Sequence, residues 1–210
     1  MKDQESKQIN IDDDMNSAVA LAAELFHSGR VFIYPTDTIY GIGGNPFDEK
    51  VMNRIADLKR REESKKFIWL LPDLEKVLNY VEIIYEDHLE FLDRIWPAPV
   101  TVIVNLNERT AEITRQKTIA VRVPQNDFCL KLLNEISRPL ISTSVNLSGD
   151  KPLTNIDAII HNFSHLVDAI FFNRATFGNI SSTIIDLTSK KPILVREGSI
   201  KFVELLQNLS

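Results

Sequence analysis

One group of residues that could perform chemistry lies in the segment YPTDTIYGIGG, at residues 34–44, directly after an apolar run. Its proline ends strand pairing, and its glycines allow a ligand to approach the backbone closely. Thr36 and Thr38 supply hydroxyls there, and Asp37 supplies a carboxylate. The spacing does not match a Walker-type phosphate loop. The segment predicts either a ligand-binding turn or an ordinary strand-to-helix loop, and both alternatives stay open.

A second hydroxyl-rich segment, STSVNLSG, covers residues 142–149 and also follows an apolar run. The segment offers four hydroxyls and one amide as candidate ligand-binding groups: Ser142, Thr143, Ser144, Ser148 and Asn146. Ligands of open α/β sheets bind at the carboxyl ends of strands, where this segment is expected to lie. Ser and Asn also satisfy turns for structural reasons alone, which is the alternative.

The basic segment KRREESKK, at residues 59–66, holds five cations and two carboxylates. If a helix ends near Lys59, the loop that follows can bring Lys59, Arg61 and Lys65 around one anion. A triphosphate requires such a cluster, because its desolvated oxygens need charged donors. The alternative is a solvated helix end.

A further cation, Arg122, interrupts the apolar run at residues 119–123. A buried charge is costly unless it is paired or binds an anionic ligand, so the sequence predicts an ion pair or an anion site. Ser182 and Arg196 bracket the last two apolar runs and extend the same pattern of hydroxyls and cations.

Other reactive side chains fit structural roles better. His161 and His165 are four residues apart on a predicted helix, but the sequence suggests no third ligand near them, so we predict no protein-held metal. Cys129 lies among Phe128, Leu130 and Leu132, which favours a core thiol over a nucleophile.

Short apolar strands alternate with helical stretches along the chain, which predicts a single α/β domain with a sheet that is partly mixed. Runs rich in Val, Ile and Phe predict strands at 31–34, 67–71, 100–104, 119–123, 139–142, 169–172, 183–187 and 193–195. Helices are predicted at about 15–29, 48–60, 73–79, 85–94, 125–136, 154–163 and 199–208. The second helix has Asp48 as its expected N-cap and buries Val51, Ile55 and Leu58.

The whole chain excludes several classes of protein. The net charge of −5 argues against a generally basic nucleic-acid coat protein. A single cysteine rules out an intramolecular disulfide and fits a reducing compartment. The N-terminus carries no secretory signal, and no apolar run is long enough to cross a membrane. We therefore expect a soluble cytoplasmic protein, with a polar N-terminal extension at 1–14 and one domain at 15–210.

Seven motifs in collinear order resemble those of the YrdC-like domain of the threonylcarbamoyl-AMP synthase family. The similarity extends from about residue 18 to residue 200 and corresponds to the short, single-domain form. The motifs are YPTDTIYGIGG at 34–44, KRR at 59–61 with Lys65, WPAPVT at 96–101, AVRVP at 120–124, SVNLSG at 144–149, STIID at 182–186 and REG at 196–198. The chain departs from the family pattern at Glu62, Lys66, Phe67, Ala98, Gln125, Asn126 and Ser181.

The resemblance implies a twisted α/β domain with a large, concave, basic cavity. It also implies a nucleotidyltransferase that forms L-threonylcarbamoyladenylate and pyrophosphate from L-threonine, bicarbonate or CO2, and ATP. This product is the intermediate for the t6A modification of ANN-decoding transfer RNA. Mg²⁺ would enter with ATP, and no organic cofactor is needed. The first alternative is a module that binds transfer RNA or double-stranded RNA without catalysis. The second is a carbamoyl-transfer enzyme like the related domain in hydrogenase maturation, but that role goes with longer chains that carry zinc-binding cysteines, and this sequence has one cysteine.

The resemblance further implies a division of the site between two substrates. The catalytic residues would be Lys59 and Arg61, on the triphosphate. The residues that bind ATP would be Lys59, Arg61, Thr118, Ser144, Asn146 and Arg196. The residues that bind L-threonine would be Thr36, Lys65, Arg122, Ser142 and Ser182. The expected partners are these substrates, a downstream transferase complex that modifies transfer RNA and, as a further option, RNA itself; no membrane partner is expected.

Overall fold

A computed structural model describes residues 6–60, 67–174 and 180–207 of the chain. Its strands are β1 (Lys7–Asn10), β2 (Phe32–Tyr34), β3 (Gly41–Gly43), β4 (Ile68–Leu70), β5 (Val81–Glu82), β6 (Val100–Leu106), β7 (Thr118–Arg122), β8 (Leu140–Ser144), β9 (Ala169–Phe172), β10 (Thr183–Asp186) and β11 (Ile193–Arg196). Its helices are α1 (Met15–His27), α2 (Glu49–Lys59), α3 (Leu74–Leu78), α4 (Glu86–Ile95), α5 (Glu108–Thr114), α6 (Asp127–Ile136), α7 (Ile156–Phe163) and α8 (Phe202–Leu206).

The strands form one mixed sheet in the order β1-β9-β2-β3-β8-β4-β7-β6-β10-β11, with β5 paired to β6. The sheet contains both parallel pairs, such as β4 with β7, and antiparallel pairs, such as β7 with β6. Parallel neighbours require crossover connections, and the helices provide them. The predicted α/β class with a partly mixed sheet is confirmed.

Helix α2 shows how local signals place the chain next to the candidate site. The Asp48 side chain accepts hydrogen bonds from the backbone N–H groups of Lys50, at 2.9 Å, and Val51, at 3.3 Å. This is the predicted N-cap, and Val51 and Ile55 form the buried face. The helix ends at Lys59, because Arg60 takes a left-handed conformation with φ of 46°. The observed helix matches the predicted range of about 48–60 and meets the condition that it end near Lys59, while Leu58 is only partly buried.

Among the described residues, apolar side chains pack on both sides of the sheet in three core clusters. One core cluster includes Trp69, Val102 and Val121, with α4 packed against it. A second cluster joins α1 to α6 through residues such as Phe26 and Leu132. A third cluster contains the buried residues of α2 and α7. None of the described helices is long and apolar enough to span a bilayer.

Four elements escaped the sequence prediction. Strand β1 lies within the predicted polar extension and pairs with β9, from Lys7 opposite Ala169 to Asn10 opposite Phe172. Its sequence KQIN has no apolar alternation, so no local signal marks it. Strand β3 reads GIG, and glycine disfavours strands. Strand β5 has two residues, which are too few to give a period. Helix α5 buries Thr110 and shows no apolar face that would mark it in the sequence.

Candidate functional site

A cavity of about 810 Å³ opens on one face of the sheet. A row of facing residues crosses its floor: Asp186 lies opposite Ile103, Ile103 opposite Ala120, Ala120 opposite Ile68, and Ile68 opposite Ser142. Successive side chains of a strand point to opposite faces of a sheet. Alternate residues of five strands therefore build the floor, and the loops at the strand ends build the walls.

Nine of the eleven predicted site residues line this cavity. They come from six separate segments of the chain: Thr36, Lys59, Thr118, Arg122, Ser142, Ser144, Asn146, Ser182 and Arg196. The other two, Arg61 and Lys65, lie outside the described residues. Convergence in one cavity agrees with the predicted site, while the role of each residue stays a prediction. The basic character of the cavity also stays a prediction.

Arg122 is buried at the cavity wall, with 4% of its surface exposed. Its Nη2 donates to Oδ1 of Asp37, and its Nη1 donates to Oγ1 of Thr38 at 3.1 Å. The Thr38 hydroxyl lies 3.0 Å from that of Thr36, which in turn donates to the Ile39 carbonyl at 2.7 Å. The predicted ion pair of Arg122 is thus confirmed, and its binding of an anion stays a prediction.

Lys59 is the second buried cation, with 3% of its surface exposed. Its ammonium donates to the carbonyls of Ser144 and Asn146 and, at 2.7 Å, to Oδ1 of Asn146. The Ser144 hydroxyl donates to the same Oδ1 at 2.6 Å. An ammonium has three hydrogens, and these three oxygens accept them. In this arrangement Lys59 holds the hydroxyl-rich loop in place, and a direct phosphate contact requires it to leave one of these oxygens.

Ser182 and Arg196 form the opposite wall. The Ser182 hydroxyl lies 2.9 Å from that of Thr101, and Arg196 Nη2 donates to the Ser182 carbonyl at 2.9 Å. Partial burial and, second, the positive charge of Arg122 lower the pKa of the Arg196 guanidinium from its usual value. Arginine remains protonated at any ordinary pH. Two positively charged guanidinium groups that repel each other across one cavity favour an anionic ligand.

A close backbone approach fixes this wall. A Cβ atom added at Gly198 would lie 2.2 Å from the Ser181 carbonyl oxygen and 2.4 Å from the Ser182 carbonyl carbon. The Thr183 hydroxyl accepts from the Gly198 N–H at 3.0 Å. Only glycine fits there, which explains the glycine of the REG segment in physical terms.

Sequence reasoning missed several cavity residues. They are Ile39, Tyr40, Ile68, Ile103, Ala120, Gly149, Asp150, Pro152, Ser181, Ile184, Asp186 and Val195. The period-two alternation of β7 and β10 contains the missing signal, because Ala120 lies two residues from Arg122 and Ile184 lies two residues from Ser182. Asp186 Oδ1 accepts from the Thr188 N–H at 2.8 Å and hydroxyl at 2.6 Å.

Two structural predictions concern reactive side chains. Cys129 is fully buried, and its thiol donates to the Pro35 carbonyl at 3.3 Å. Burial, followed by the charge of Asp37, raises the pKa of this thiol well above its usual value of 9.0, while Arg122 opposes the rise. The core thiol is confirmed. Within the described ranges, His, Cys, Asp and Glu side chains do not gather in groups of three or more that could hold a metal ion.

Several known proteins have a similar fold and a related sequence. A relative from Pyrococcus abyssi named threonylcarbamoyl-AMP synthase is 29% identical over 189 residues, which are 89% of this chain and 56% of the relative. The crystal structure of P. abyssi Sua5 complexed with L-threonine has a TM-score of 0.85 at 27% identity and covers 98% of this chain and 61% of that chain. Escherichia coli YciO has a TM-score of 0.84 at 26% identity, over 94% and 97% of the two chains.

The chain thus spans little more than half of the P. abyssi synthase and nearly all of the length of YciO. The family model Sua5_yciO_yrdC, described as telomere recombination, matches residues 24–198, which include all of the predicted site residues. The shared fold, the collinear motifs and this match lead to one conclusion: the chain belongs to the Sua5/YciO/YrdC family.

Proposed function

We propose that this protein is an L-threonylcarbamoyladenylate synthase. The observation that carries the proposal is the convergence of nine predicted substrate-binding residues in one cavity. The name of the P. abyssi relative and the L-threonine complex of P. abyssi Sua5 support the choice of substrate. The product would pass to a transferase complex that makes the t6A modification of ANN-decoding transfer RNA.

The proposed reaction is a nucleotidyl transfer. The amine of L-threonine takes up CO2, or bicarbonate with loss of water, and becomes a carbamate. A carbamate oxygen then attacks the α-phosphorus of ATP, and the bond to the bridging oxygen breaks, so that pyrophosphate leaves. Positioning and charge stabilisation dominate such a step, since no covalent enzyme intermediate is required. Mg²⁺ enters bound to ATP, and no organic cofactor takes part.

The walls of the cavity suit the two substrates differently. The hydroxyl-rich loop with Ser144 and Asn146, held by Lys59, would bind the phosphates with Arg61, Thr118 and Arg196. The wall around Arg122 would bind L-threonine or its carbamate, because a guanidinium matches a planar carboxylate in a bidentate pair. Thr36, Lys65, Ser142 and Ser182 would complete this half of the site.

The test is to incubate the protein with ATP, labelled bicarbonate and L-threonine, and to follow pyrophosphate release and the labelled nucleotide adduct. We expect both products only when all three substrates are present. Serine should react roughly 10- to 200-fold less well, because one methyl group in a pocket contributes about 1–3 kcal/mol. Equal pyrophosphate release with L-threonine omitted would contradict the assignment. Salt-sensitive binding of double-stranded RNA without ATP turnover would instead favour the RNA-binding alternative.

A further inference from the structure

The carboxylate of Asp37 is buried beside the cavity but is not among the described residues that line it. Thr36 and Thr38, on either side of it in sequence, both line the cavity. The Asp37 side chain is 9% exposed and pairs with the Arg122 side chain, which is 5% exposed. Asp37 therefore contacts the arginine of the candidate site from the protein side.

The turn that carries Asp37 holds the guanidinium at two of its three nitrogens. Nη2 of Arg122 donates to Asp37, and Nη1 donates to the Thr38 hydroxyl at 3.1 Å. The Thr36 hydroxyl accepts from the Thr38 backbone N–H at 3.1 Å, which fixes the turn from within. Two contacts on different nitrogens determine the plane of the guanidinium as well as its position.

The core side of the fold holds the turn that carries Asp37 in place. Cys129, in the first turn of α6, donates its thiol to the Pro35 carbonyl at 3.3 Å.

Arg122 Nε and Asp37 Oδ2 are buried and have no hydrogen-bond partner among the described residues. Buried polar atoms of proteins nearly always have a hydrogen-bond partner, so each of these two atoms has the capacity for a further contact.

We propose that Asp37 is a positioning residue, which sets the Arg122 guanidinium in the orientation that receives the planar carboxylate or carbamate of the amino-acid substrate. The proposal rests on the proposed function, because it assumes that L-threonine binds at Arg122. A guanidinium forms a bidentate pair only when its plane matches that of the carboxylate. An arginine without Asp37 would sample several rotamers and bind the same carboxylate more weakly.

The test uses three variants, Asp37→Asn, Arg122→Lys and the double variant. Asp37→Asn keeps an oxygen of the same shape but removes the charge. We expect it to raise the KM for L-threonine by about tenfold, with the KM for ATP and kcat within about twofold of the unsubstituted protein. Because Asp37 acts through Arg122, adding Asp37→Asn to Arg122→Lys should change the KM for L-threonine by less than about twofold. Contacting residues couple in this way.

Asp168→Asn is the matched control. Asp168 also pairs with arginines, Arg54 and Arg30, and it also accepts a backbone N–H, from Val31 at 2.9 Å. It is not among the described residues that line the cavity, so the control should lower thermal stability and leave both KM values unchanged. Asp37→Glu keeps the charge but moves the carboxylate by one methylene, so it should also raise the KM for L-threonine. This variant provides the test if Asp37→Asn does not fold.

Three results would overturn the proposal. The first is an unchanged KM for L-threonine in both Asp37 variants. The second is an equal rise in both KM values, and the third is independent, multiplying effects of Asp37→Asn and Arg122→Lys. Turnover by the unsubstituted protein without L-threonine would overturn the proposed function as well, whereas threonine-dependent turnover with normal Asp37 variants would overturn this proposal alone.

Discussion

The two faces of strand β7 contact two different environments, the cavity and the apolar core. Thr118, Ala120 and Arg122 line the cavity. Between them, Ile119 and Val121 are 2% and 0% exposed and belong to the core cluster around Trp69. One five-residue strand therefore supplies a hydroxyl and a cation to the cavity while it packs against the core.

This difference shows that the cost of a substitution depends on the face and not on the strand. On the core face, lost volume leaves a cavity in close-packed protein and lowers stability. On the cavity face, a side chain such as Ala120 borders open space, so a larger residue there changes what fits in the site and hardly changes the packing. A substitution at Ile119 should therefore lower stability and leave turnover unchanged. A substitution at Ala120 should lower turnover and leave stability unchanged.

The largest effect is expected on the core face, for Ile119→Ala. The substitution removes a buried side chain next to Val104 and should lower the free energy of unfolding by about 2–5 kcal/mol. Chemical denaturation measures this change. Turnover per folded molecule should be unchanged, and a selective rise in either KM would show that the two faces are not separable.

The matching substitution on the cavity face is Ala120→Leu. The larger side chain enters the open cavity, so the free energy of unfolding should change by less than about 0.5 kcal/mol. Turnover should fall on the order of 100-fold, because displacing a substrate by about 1 Å has such an effect. Steady-state kinetics and denaturation of the same sample provide the comparison. A destabilised protein with normal kinetics would contradict the placement of Ala120.

A smaller effect is expected for Ser144→Ala, at the wall of the cavity. The Ser144 hydroxyl donates to Asn146 Oδ1 at 2.6 Å, within the loop proposed to bind ATP. The lost hydrogen bond contributes about 0.5–1.5 kcal/mol, which predicts a rise in the KM for ATP of about 2- to 13-fold. Ser28→Ala, at the exposed C-cap of α1, is the control and should leave the KM for ATP unchanged. Similar KM values in both variants would exclude this loop from the ATP site.

The smallest effect on activity is expected for Cys129, on the core side of the Pro35 turn. Burial raises the pKa of its thiol above 9.0. The stability contributed by the neutral thiol is therefore complete below pH 9 and is lost as the pH rises through the raised pKa. Cys129→Ala should remove this alkaline loss of stability and leave turnover per folded molecule unchanged.

Thiol titration with an aromatic disulfide at pH 8 gives a second measurement of Cys129. The native protein should react slowly, and the protein in denaturant should react fully, because the thiolate is the reactive species. Fast reaction of the native protein, with loss of turnover, would show that the core face opens to solvent at this position.

The elements that local sequence predicts well are those with a strong period and a cap. Helix α2 is an example, because Asp48 marks its start and Val51 and Ile55 mark its buried face. Strand β1 is the opposite case, because its residues become a strand only by pairing with β9, more than 150 residues away in sequence. Local pattern contains no information about such a partner.

The sequence by itself determined the chemistry available to this protein: the hydroxyl-rich segments, the cations of the site and their order along the chain. The tertiary structure decided which of these groups meet. It placed Arg122 against Asp37 and gave the hydrogens of Lys59 to the loop of Ser144 and Asn146. The physical reason is that a side chain's partners depend on strand order and register. Both are set by long-range burial of apolar surface, whereas composition and spacing act over a few residues.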